Sequence, residues 1–592
     1  MDPRPTLAES ALFANLAPAA LDQLAAISQV RAMNSGETLF AEGDSADHLY
    51  IVATGRLRAQ RPDGTLVGFI GRLEPIGEVS LLSGERRTAT VRAIRDSLLV
   101  AIPRGPLMDF LQQYPSALVA ITRVLIQRMT QNQRQVRLQS AQSARSFALV
   151  PADPGVEVRD LAGALDESLR RFHSSRLLDA ESVDQDLGAG HAQSNAALDG
   201  GLPHQQLVSW LNQLERRHRY LVYRGSAQPD AWTLRCMRQC DRVVLVARAG
   251  SPPAATAMTE ALRQAGVLAP VELLLLRAEG TPAGEVLAWK TQVGARSHYF
   301  LRPGHPADID TLARQLTGRG IGLVLGGGGA RGFAHLGLLR ALEELQIPID
   351  LAGGSSMGAF IAALHASGYN SHEMAHVVRE TFVTHNYLND YLIPRIALIR
   401  GRKFVRRLQE VFGDRRIEDL RMAFFCMATN LTRGVQVVQD HGPLATWLAS
   451  SMCVPGIAPP VVFQGELLVD GAVVNSLPTD VMAGLERGPI VASDVSTEGD
   501  IRAPGIEGPD PEALLHWKGP GEPPSLRDIL FRTATLTSES GVQRRAQLAD
   551  CYLRMPVGGI GMFEWKRMDD VVERGYRHAR ELLEPMRAAL LR

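Results

Sequence analysis

The chain has 592 residues, and Lys+Arg and Asp+Glu both total 63, so its formal net charge at pH 7 is zero. That balance argues against a protein built mainly to hold nucleic acid. The content of 45% hydrophobic and 21% charged residues argues against a disordered chain. Three to five domains are expected at this length. Five scattered cysteines do not suit a disulfide scaffold and indicate a reduced, intracellular protein; they are Cys236, Cys240, Cys426, Cys453 and Cys551.

The sequence predicts neither a signal peptide nor a transmembrane helix. The N-terminal segment MDPRPTLAES lacks a basic stretch followed by an apolar one. Of two long uncharged stretches, 351–371 is rich in Gly and Ser, and 442–465 contains four prolines. We therefore expect a cytoplasmic protein that reaches a membrane only from its surface, as a peripheral protein on the inner face.

Residues 1–140 are predicted to form the first domain, a small β-barrel or jelly roll with helices at its ends. Up to about residue 115, short apolar runs alternate with glycine-containing turns. From residue 115 to about 139, apolar residues recur at helical spacing, which predicts an exit helix packed on the barrel.

Residues 145–310 are predicted to form a middle domain, a βαβ unit of unknown role with a parallel sheet. Apolar runs at 219–225, 242–250 and 271–278 are separated by helical stretches at 233–240 and 255–265. No glycine-rich phosphate loop follows these runs, so a dinucleotide site is not expected. The segment 180–205 has little apolar periodicity and is predicted to be a loop.

The third domain, residues 318–592 with its core motifs at 321–484, carries the chemistry. The segment IGLVLGGGGARGFAHLGLLRALEEL is typical of a strand, a glycine loop and an amphipathic helix. Its glycines fit G-x-G-x-x-G, a pattern that nucleotide-binding folds share. In either setting, the backbone N–H groups of such a loop face an anion at the start of a helix.

A second motif in this domain predicts a nucleophile. Gly354-Ser355-Ser356-Met357-Gly358 fits G-x-S-x-G between a short strand and a small-residue helix, where a tight elbow exposes a serine. A nucleophilic serine needs a base. Asp470 lies at the end of an apolar strand, followed by Gly471 and Ala472, and is either that base or a turn residue.

The glycine loop, the elbow and the Asp-Gly-Ala triplet, in this order, resemble the patatin-like phospholipases. The resemblance implies an α/β hydrolase with a Ser356–Asp470 dyad that hydrolyses lipid carboxyl esters through an acyl-enzyme and needs no cofactor or metal. It also implies an oxyanion hole formed by Gly327, Gly328, Gly329, Arg331 and Gly332. A histidine-dependent triad remains the alternative, with candidates His335, His365 and His441.

Residues 77–91 in the first domain, GEVSLLSGERRTATV, resemble the phosphate-binding cassette of cyclic-nucleotide-binding domains. The resemblance implies that Glu78 holds the ribose 2′-hydroxyl and that the planar fork of Arg87 binds the cyclic phosphate. Further implied contacts come from Gly77, Ser80, Leu81 and Thr88. Arg86 stands where the family usually has Pro, so a cyclic nucleotide as regulatory ligand is a hypothesis.

The order of the three domains resembles the neuropathy target esterase family of lysophospholipases. The segments 231–250, 427–434 and 448–478 look like that family as well. The resemblance implies a short, bacterial-type member that acts on lysophospholipid or phospholipid at a membrane surface, with no nucleic-acid partner. A homo-oligomer is left open.

Three further alternatives follow from the sequence. A regulatory protein with a degenerate hydrolase domain is disfavoured because Ser356, Asp470 and the glycine loop are all intact. A cyclic-nucleotide-dependent transcription factor would need a helix-turn-helix after residue 140 and a basic face. The βαβ pattern of that region and the net charge of zero argue against it.

The segment 385–407 is predicted to be a solvated helix beside a core-packed loop, with an interfacial lid facing anionic headgroups as the alternative.

Overall fold

In a computed structural model of the chain, the described residues are 2–591 except 64–65, 116, 120, 123–143, 153, 195–201, 265–266, 386, 394, 498–511, 518–522 and 524–525. They form two compact units, Met1–Gly318 and Arg319–Arg592. The first unit holds the two N-terminal sheets and the middle sheet. The second holds the glycine loop, the serine elbow and the Asp-Gly-Ala triplet.

The first unit begins with a jelly roll of two four-stranded antiparallel sheets, in the orders β1-β8-β3-β6 and β2-β7-β4-β5. Along β3, Leu49 and Ile51 face the flanking helices, whereas Tyr50 and Val52 face the space between the sheets. Both faces are buried because side chains alternate along a strand and helices cover the outer face. The strands are β1 Gln29–Met33, β2 Thr38–Phe40, β3 His48–Thr54, β4 Leu57–Gln60, β5 Leu66–Ile70, β6 Pro75–Ile76, β7 Thr90–Ala93 and β8 Ser97–Pro103. The helices are α1 Arg4–Glu9, α2 Pro18–Ala26, α3 Glu78–Ser83 and α4 Arg104–Gln113.

The predicted exit helix is described only at its start. Residues 117–119 and 121–122 are helical, with Ile121 buried and Leu118 exposed. The remainder, 123–139, lies outside the described residues.

The middle sheet has six parallel strands in the order β10-β11-β9-β12-β13-β14, which confirms the predicted βαβ architecture. In β12, Val243 and Leu245 face one hydrophobic core while Val244 and Val246 face another. The apolar runs are therefore continuous, because helices cover both faces. The strands are β9 Ser146–Pro151, β10 Ser175–Leu178, β11 Tyr220–Arg224, β12 Arg242–Arg248, β13 Val271–Leu276 and β14 Ala295–Leu301. The helices are α5 Arg159–Arg170, α6 Ala180–Leu187, α7 Leu202–Arg217, α8 Ala231–Gln239, α9 Ala257–Gln264, α10 Val286–Val293 and α11 Pro306–Leu316.

The loop predicted over 180–205 was wrong at both ends, since α6 forms at its start and α7 begins at Leu202. The Asp179 side chain accepts the N–H of Ser182, and the Ser182 hydroxyl receives the N–H of Asp179. This reciprocal cap satisfies N–H groups that a helix start otherwise leaves unpaired. The cap outweighs the weak apolar periodicity of the segment.

Within the first unit, the β7–β8 turn of the jelly roll is joined to the middle sheet by a buried ion cluster. Arg95 Nη1 lies 2.6 Å from Glu215 Oε1, and Arg95 Nε lies 2.9 Å from Asp241 Oδ1. Asp241 Oδ2 also accepts the N–H of Arg145 at the start of the sheet. Loss of one partner would leave an unpaired buried charge, so the cluster resists separation of the two parts.

The second unit is built on an eight-stranded mixed sheet in the order β19-β20-β17-β16-β15-β21-β22, with β18 paired to β17. Five neighbouring strands run parallel to one another, in the order β17-β16-β15-β21-β22. The strands β18, β19 and β20 are antiparallel to their neighbours. The strands are β15 Gly322–Leu325, β16 Leu351–Ser355, β17 Ala423–Asn430, β18 Val435–Gln439, β19 Val461–Phe463, β20 Glu466–Asp470, β21 Ile490–Asp494 and β22 Cys551–Arg554.

Helices cover both faces of this sheet. They are α12 Ala334–Glu344, α13 Met357–Ala366, α14 Ser371–Val378, α15 Arg402–Phe412, α16 Leu444–Met452, α17 Thr479–Gly484, α18 Leu526–Ala546 and α19 Met568–Leu590. Among the helices of the described residues, none combines the length and the apolar content needed to cross a bilayer.

Candidate active site

Ser356 lies at a strained elbow between β16 and α13. Its φ of 52° and ψ of −125° fall in a region that non-glycine residues rarely adopt. The glycines on either side allow the start of α13 to touch the end of β15. A Cβ on Gly354 would lie 2.7 Å from the Leu325 carbonyl oxygen, and one on Gly358 would collide with the same carbonyl. The side chain of Ser356 is thereby held above the carboxyl edge of the sheet.

The register of three strands brings Asp470 to the level of Ser356. Ser355 at the end of β16 is aligned with Met427 of β17, and the next residue, Ala428, is aligned with Asp470 at the end of β20. Ser356 Oγ donates a hydrogen bond to Asp470 Oδ2 at 2.7 Å. The elbow and the Asp-Gly-Ala triplet, 114 residues apart in the chain, meet as a side-chain pair.

Asp470 is buried, and its carboxyl binds a proton more tightly than that of an ordinary aspartate. Burial raises the pKa of this carboxyl from 3.8 to about 7, although hydrogen bonds from Ser356 and from the Ala472 N–H favour its charged form. The same carboxylate caps the short 3₁₀ turn Gly471–Val473. The two interpretations of Asp470, base and turn residue, are therefore compatible.

The glycine loop lies against Ser356 and offers two unpaired donors. A Cβ on Gly327 would lie 3.2 Å from Ser356 Cβ. Within the described residues, the N–H groups of Gly328 and Gly329 have no hydrogen-bond acceptor. Gly329 has a φ of 57°, a left-handed conformation that suits glycine. These two N–H groups can face an oxygen that becomes negative beside Ser356.

The other residues of the predicted oxyanion hole hold the loop in place. The N–H of Gly327 donates to the Ser476 carbonyl at 3.0 Å, and Arg331 Nε donates to the Ile560 carbonyl at 2.7 Å. A Cβ on Gly332 would collide with the Met357 side chain. We therefore assign these three residues to the architecture of the loop.

None of the three candidate histidines has a hydrogen bond to Ser356 among the described residues. His335 is fully buried, and its Nε2 donates to the Gly326 carbonyl while Nδ1 accepts from the Ser493 hydroxyl, both at 2.9 Å. A carbonyl can only accept, so Nε2 carries a proton. Burial lowers the pKa of His335 to about 4. His365 has no partner for either ring nitrogen among the described residues, and the exposed His441 contacts Asp440.

Sequence reasoning missed the contribution of the segment 450–453. The Ser451 hydroxyl accepts the backbone N–H of Ser356 at 3.1 Å. The Cys453 carbonyl accepts the backbone N–H of Asp470 at 3.0 Å. Helix α16 and the residue after it thus hold both members of the pair, and no motif in the sequence marks them.

The described ranges contain no group of three or more His, Cys, Asp or Glu side chains that could hold a metal ion.

The cassette of the first unit presents a buried cation. The Arg87 guanidinium donates to the carbonyls of Gly77 at 3.1 Å and His48 at 2.7 Å, and it stacks over the Phe40 ring. Its Nε has no acceptor among the described residues, and burial lowers its pKa. Glu78 is buried at the start of α3. The site can therefore offer an incompletely paired positive charge to an anion.

The other cassette residues divide between the core and the surface. Ser80 and Leu81 are buried, and Thr88 is exposed. Arg86, which replaces the usual Pro, is exposed and donates to the Gly43 carbonyl at 2.7 Å. Gly43 in turn donates to the carbonyl of Arg87. The Arg86 side chain thus ties the cassette to a neighbouring turn.

Three family models match the chain in order along its length. A cyclic nucleotide-binding domain matches residues 30–114, the P-loop like domain of the neuropathy target esterase family matches 143–318, and a patatin-like phospholipase domain matches 323–483. The sequence segment after β9, ADPGVEV, does not have the glycine and lysine pattern of a phosphate-binding P-loop. The middle domain therefore belongs to that family without the phosphate loop.

Curated relatives match almost the whole chain. The patatin-like phospholipase domain-containing protein 6 of Homo sapiens is 30% identical over 93% of this chain and 44% of its own length. The protein named lysophospholipase nte1 of Aspergillus fumigatus is 28% identical over 94% of this chain and 42% of its own length. The chain thus spans less than half the length of these relatives.

Among solved structures, the N-terminal domain of a transcriptional regulator from Streptomyces coelicolor A3(2) matches with 34% identity and a TM-score of 0.19, over 21% of this chain and 90% of that one.

The ordered matches to all three domains, together with relatives that align over almost the whole chain, show that this protein is similar along its length to the neuropathy target esterase family of patatin-like phospholipases.

Proposed function

We propose that this chain hydrolyses the carboxyl ester of lysophospholipids, and of phospholipids, at a membrane surface through an acyl-enzyme on Ser356. The observation that carries the proposal is the 2.7 Å hydrogen bond from Ser356, at a strained elbow, to the buried Asp470. A relative named as a lysophospholipase supports the substrate class. A degenerate hydrolase is disfavoured because serine, carboxylate and unpaired loop donors all lie together.

In the acylation step, Ser356 Oγ attacks the ester carbonyl carbon while Asp470 Oδ2 takes the hydroxyl proton. The carbonyl oxygen becomes negative beside Ser356, at the positive N-terminal end of α13, and receives hydrogen bonds from the N–H groups of Gly328 and Gly329 in the glycine loop. The C–O bond of the ester then breaks. The leaving glycerol oxygen takes the proton from Asp470, and the fatty acyl group remains on Ser356.

In the deacylation step, a water molecule attacks the acyl carbonyl and gives its proton to Asp470. The tetrahedral intermediate collapses, the proton returns to Ser356 Oγ, and the fatty acid leaves. A base that titrates near neutral pH can both take and return a proton, which is the condition that general acid–base catalysis requires. Burial gives Asp470 that property without a histidine.

We also propose that a cyclic nucleotide is the ligand of the N-terminal cassette and regulates the hydrolase. The family match covers this domain, and the buried Arg87 guanidinium donates to the backbone carbonyls of Gly77 and His48. A cyclic phosphate would pair with its guanidinium, and Glu78 would hold the ribose.

The first prediction concerns the nucleophile. Ser356→Ala should lower fatty-acid release from lysophosphatidylcholine by at least about 10³-fold, because no other group can carry the acyl intermediate. The matched control is Ser355→Ala, which removes a buried hydroxyl without a partner from the same elbow and should retain most activity. Both variants should unfold within a few degrees of the native protein. Retained turnover in Ser356→Ala would refute the assignment.

The second prediction concerns pH. Because Asp470 must be ionised to act as a base and its pKa is about 7, kcat/KM for a soluble ester should reach a plateau above pH 7. Below pH 7, kcat/KM should fall about tenfold per pH unit. An ordinary aspartate would place the inflection near pH 4. His365→Gln and His441→Gln should keep the same inflection; its disappearance in either variant would point to a histidine base.

The third prediction concerns the cassette. Titration calorimetry with cAMP and cGMP should detect binding of at least one nucleotide. Arg87→Gln should weaken it about 10- to 100-fold, the usual effect of losing charge-assisted hydrogen bonds. Arg92→Gln, which removes an exposed cation of β7 outside the cassette, serves as the control and should change the affinity little. Absence of heat with the native protein would contradict the proposed ligand.

A further inference from the structure

An exposed hairpin in the second unit carries large apolar side chains at its tip. Tyr391 is 64% exposed, Ile393 85% and Ile396 74%. Single exposed apolar residues are normal on a protein surface, but three within six positions form a patch that calls for a partner. The sequence-based expectation of a core-packed loop was therefore wrong for these side chains.

The hairpin is a fixed structure. Tyr391 and Ile399 form a β-bridge, and the N–H of Leu392 donates to the Leu398 carbonyl. Ala397 and Ile399 are buried and anchor the returning strand. The two exposed isoleucines are therefore held outward by backbone pairing.

Basic side chains surround this apolar tip. The segment 387–407 contains one acidic residue, Asp390, whose carboxylate accepts the N–H groups of Gly401 and Lys403 at the start of α15. Within the described residues, none of five exposed cations pairs with a carboxylate; they are Arg395, Arg400, Arg402, Lys403 and Arg406. The surface is thus strongly positive as well as apolar.

The hairpin and α15 are joined directly to the elements that hold the dyad. The N–H groups of Leu398 and Ile399 donate to the carbonyls of Gly456 and Ile457, in the loop that begins at Cys453, whose carbonyl holds Asp470. On the inner face of α15, Phe404 and Phe412 pack against Phe360 of the elbow helix α13, with ring centroids 6.5 and 5.9 Å apart. A partner on this surface would therefore contact elements that pack directly against the loop and the helix that hold Asp470 and Ser356.

We propose that the docking surface, defined as Tyr391, Ile393 and Ile396 with the five cations from Arg395 to Arg406, binds an anionic phospholipid bilayer. The isoleucines and the tyrosine enter the boundary between headgroups and acyl chains, and the cations contact anionic headgroups. The combination of an apolar tip and surrounding cations complements an anionic bilayer, which offers acyl chains and negative headgroups on one continuous surface. This inference rests on the proposed lipid-hydrolysing function and identifies where the substrate surface is met.

The test is co-sedimentation of the full chain, in the Ser356→Ala background, with vesicles of phosphatidylcholine alone or mixed with phosphatidylglycerol. Binding should be strong only on the mixed vesicles and should weaken with added salt. Ile393→Ser/Ile396→Ser should weaken the partition about tenfold for each isoleucine. Arg402→Gln/Lys403→Gln should also weaken it, and should lower its salt dependence.

Two matched control variants test whether the loss of vesicle binding is specific to the docking surface. Leu431→Ser/Val435→Ser removes two exposed apolar side chains of the same unit, and Arg216→Gln/Arg217→Gln removes two exposed cations of the first unit. Both should bind vesicles as the parent does. Equal binding by the Ile393→Ser/Ile396→Ser variant, or salt-dependent self-association without vesicle binding, would overturn the proposal.

A second readout distinguishes failure of the docking surface from failure of the proposed function. With Ser356 present, the Ile393→Ser/Ile396→Ser variant should hydrolyse a monomeric soluble ester at the native rate while losing activity on vesicles. Equal loss on both substrates would mean that the hairpin serves the site or the fold, and would overturn docking. Vesicle binding without hydrolysis of any ester would leave the docking surface standing and refute the hydrolase.

Discussion

The hydrogen bond between Ser356 and Asp470 is the interaction on which the second unit depends for its chemistry. It requires three strands in fixed register, because Ser355, Met427, Ala428 and Asp470 must lie at one level of the sheet. It also requires a glycine-lined approach of α13 to β15. The same packing that forms the bond removes water from Asp470 and raises its pKa to about 7. Geometry and basicity therefore have a single cause, the burial of the carboxylate at the end of β20.

The burial of Asp470 lowers the stability of the folded protein above about pH 7. Asp470 binds a proton more tightly in the folded protein, where its pKa is about 7, than in the unfolded chain, where it is near 3.8. Its favourable contribution to folding is thus complete below the unfolded pKa and is lost as the pH rises through about 7. The positive φ of Ser356 adds backbone strain of roughly 1–3 kcal/mol. The surrounding core must offset both, which explains why the segment 450–453 binds the backbone of each residue.

The sequence was sufficient to predict the sheet classes and the positions of the serine, the aspartate and the glycine loop, because each depends on local patterns of strand, glycine turn and helix. It could not identify Ser451, since that contact depends on how α16 meets the elbow. It could not separate the free N–H groups of Gly328 and Gly329 from that of Gly327, which pairs with a distant carbonyl. Nor could it show that the 391–399 hairpin turns its isoleucines outward, because burial there is decided by pairing with residues 456–457. In the first unit, the Arg95 cluster joins the β7–β8 turn to the middle sheet through Glu215 and Asp241, residues far apart in the chain that no local pattern brings together.

The most direct test of the account is covalent labelling with a fluorophosphonate, which reacts with an activated serine, followed by peptide mapping. The account predicts one adduct, on Ser356, at a rate that rises with the ionisation of Asp470 near pH 7. Asp470→Asn should be labelled far more slowly, while His335, His365 and His441 variants that remain folded should be labelled at rates close to native. An adduct on another serine, native-rate labelling of Asp470→Asn, or loss of labelling in one folded histidine variant would contradict the Ser–Asp dyad.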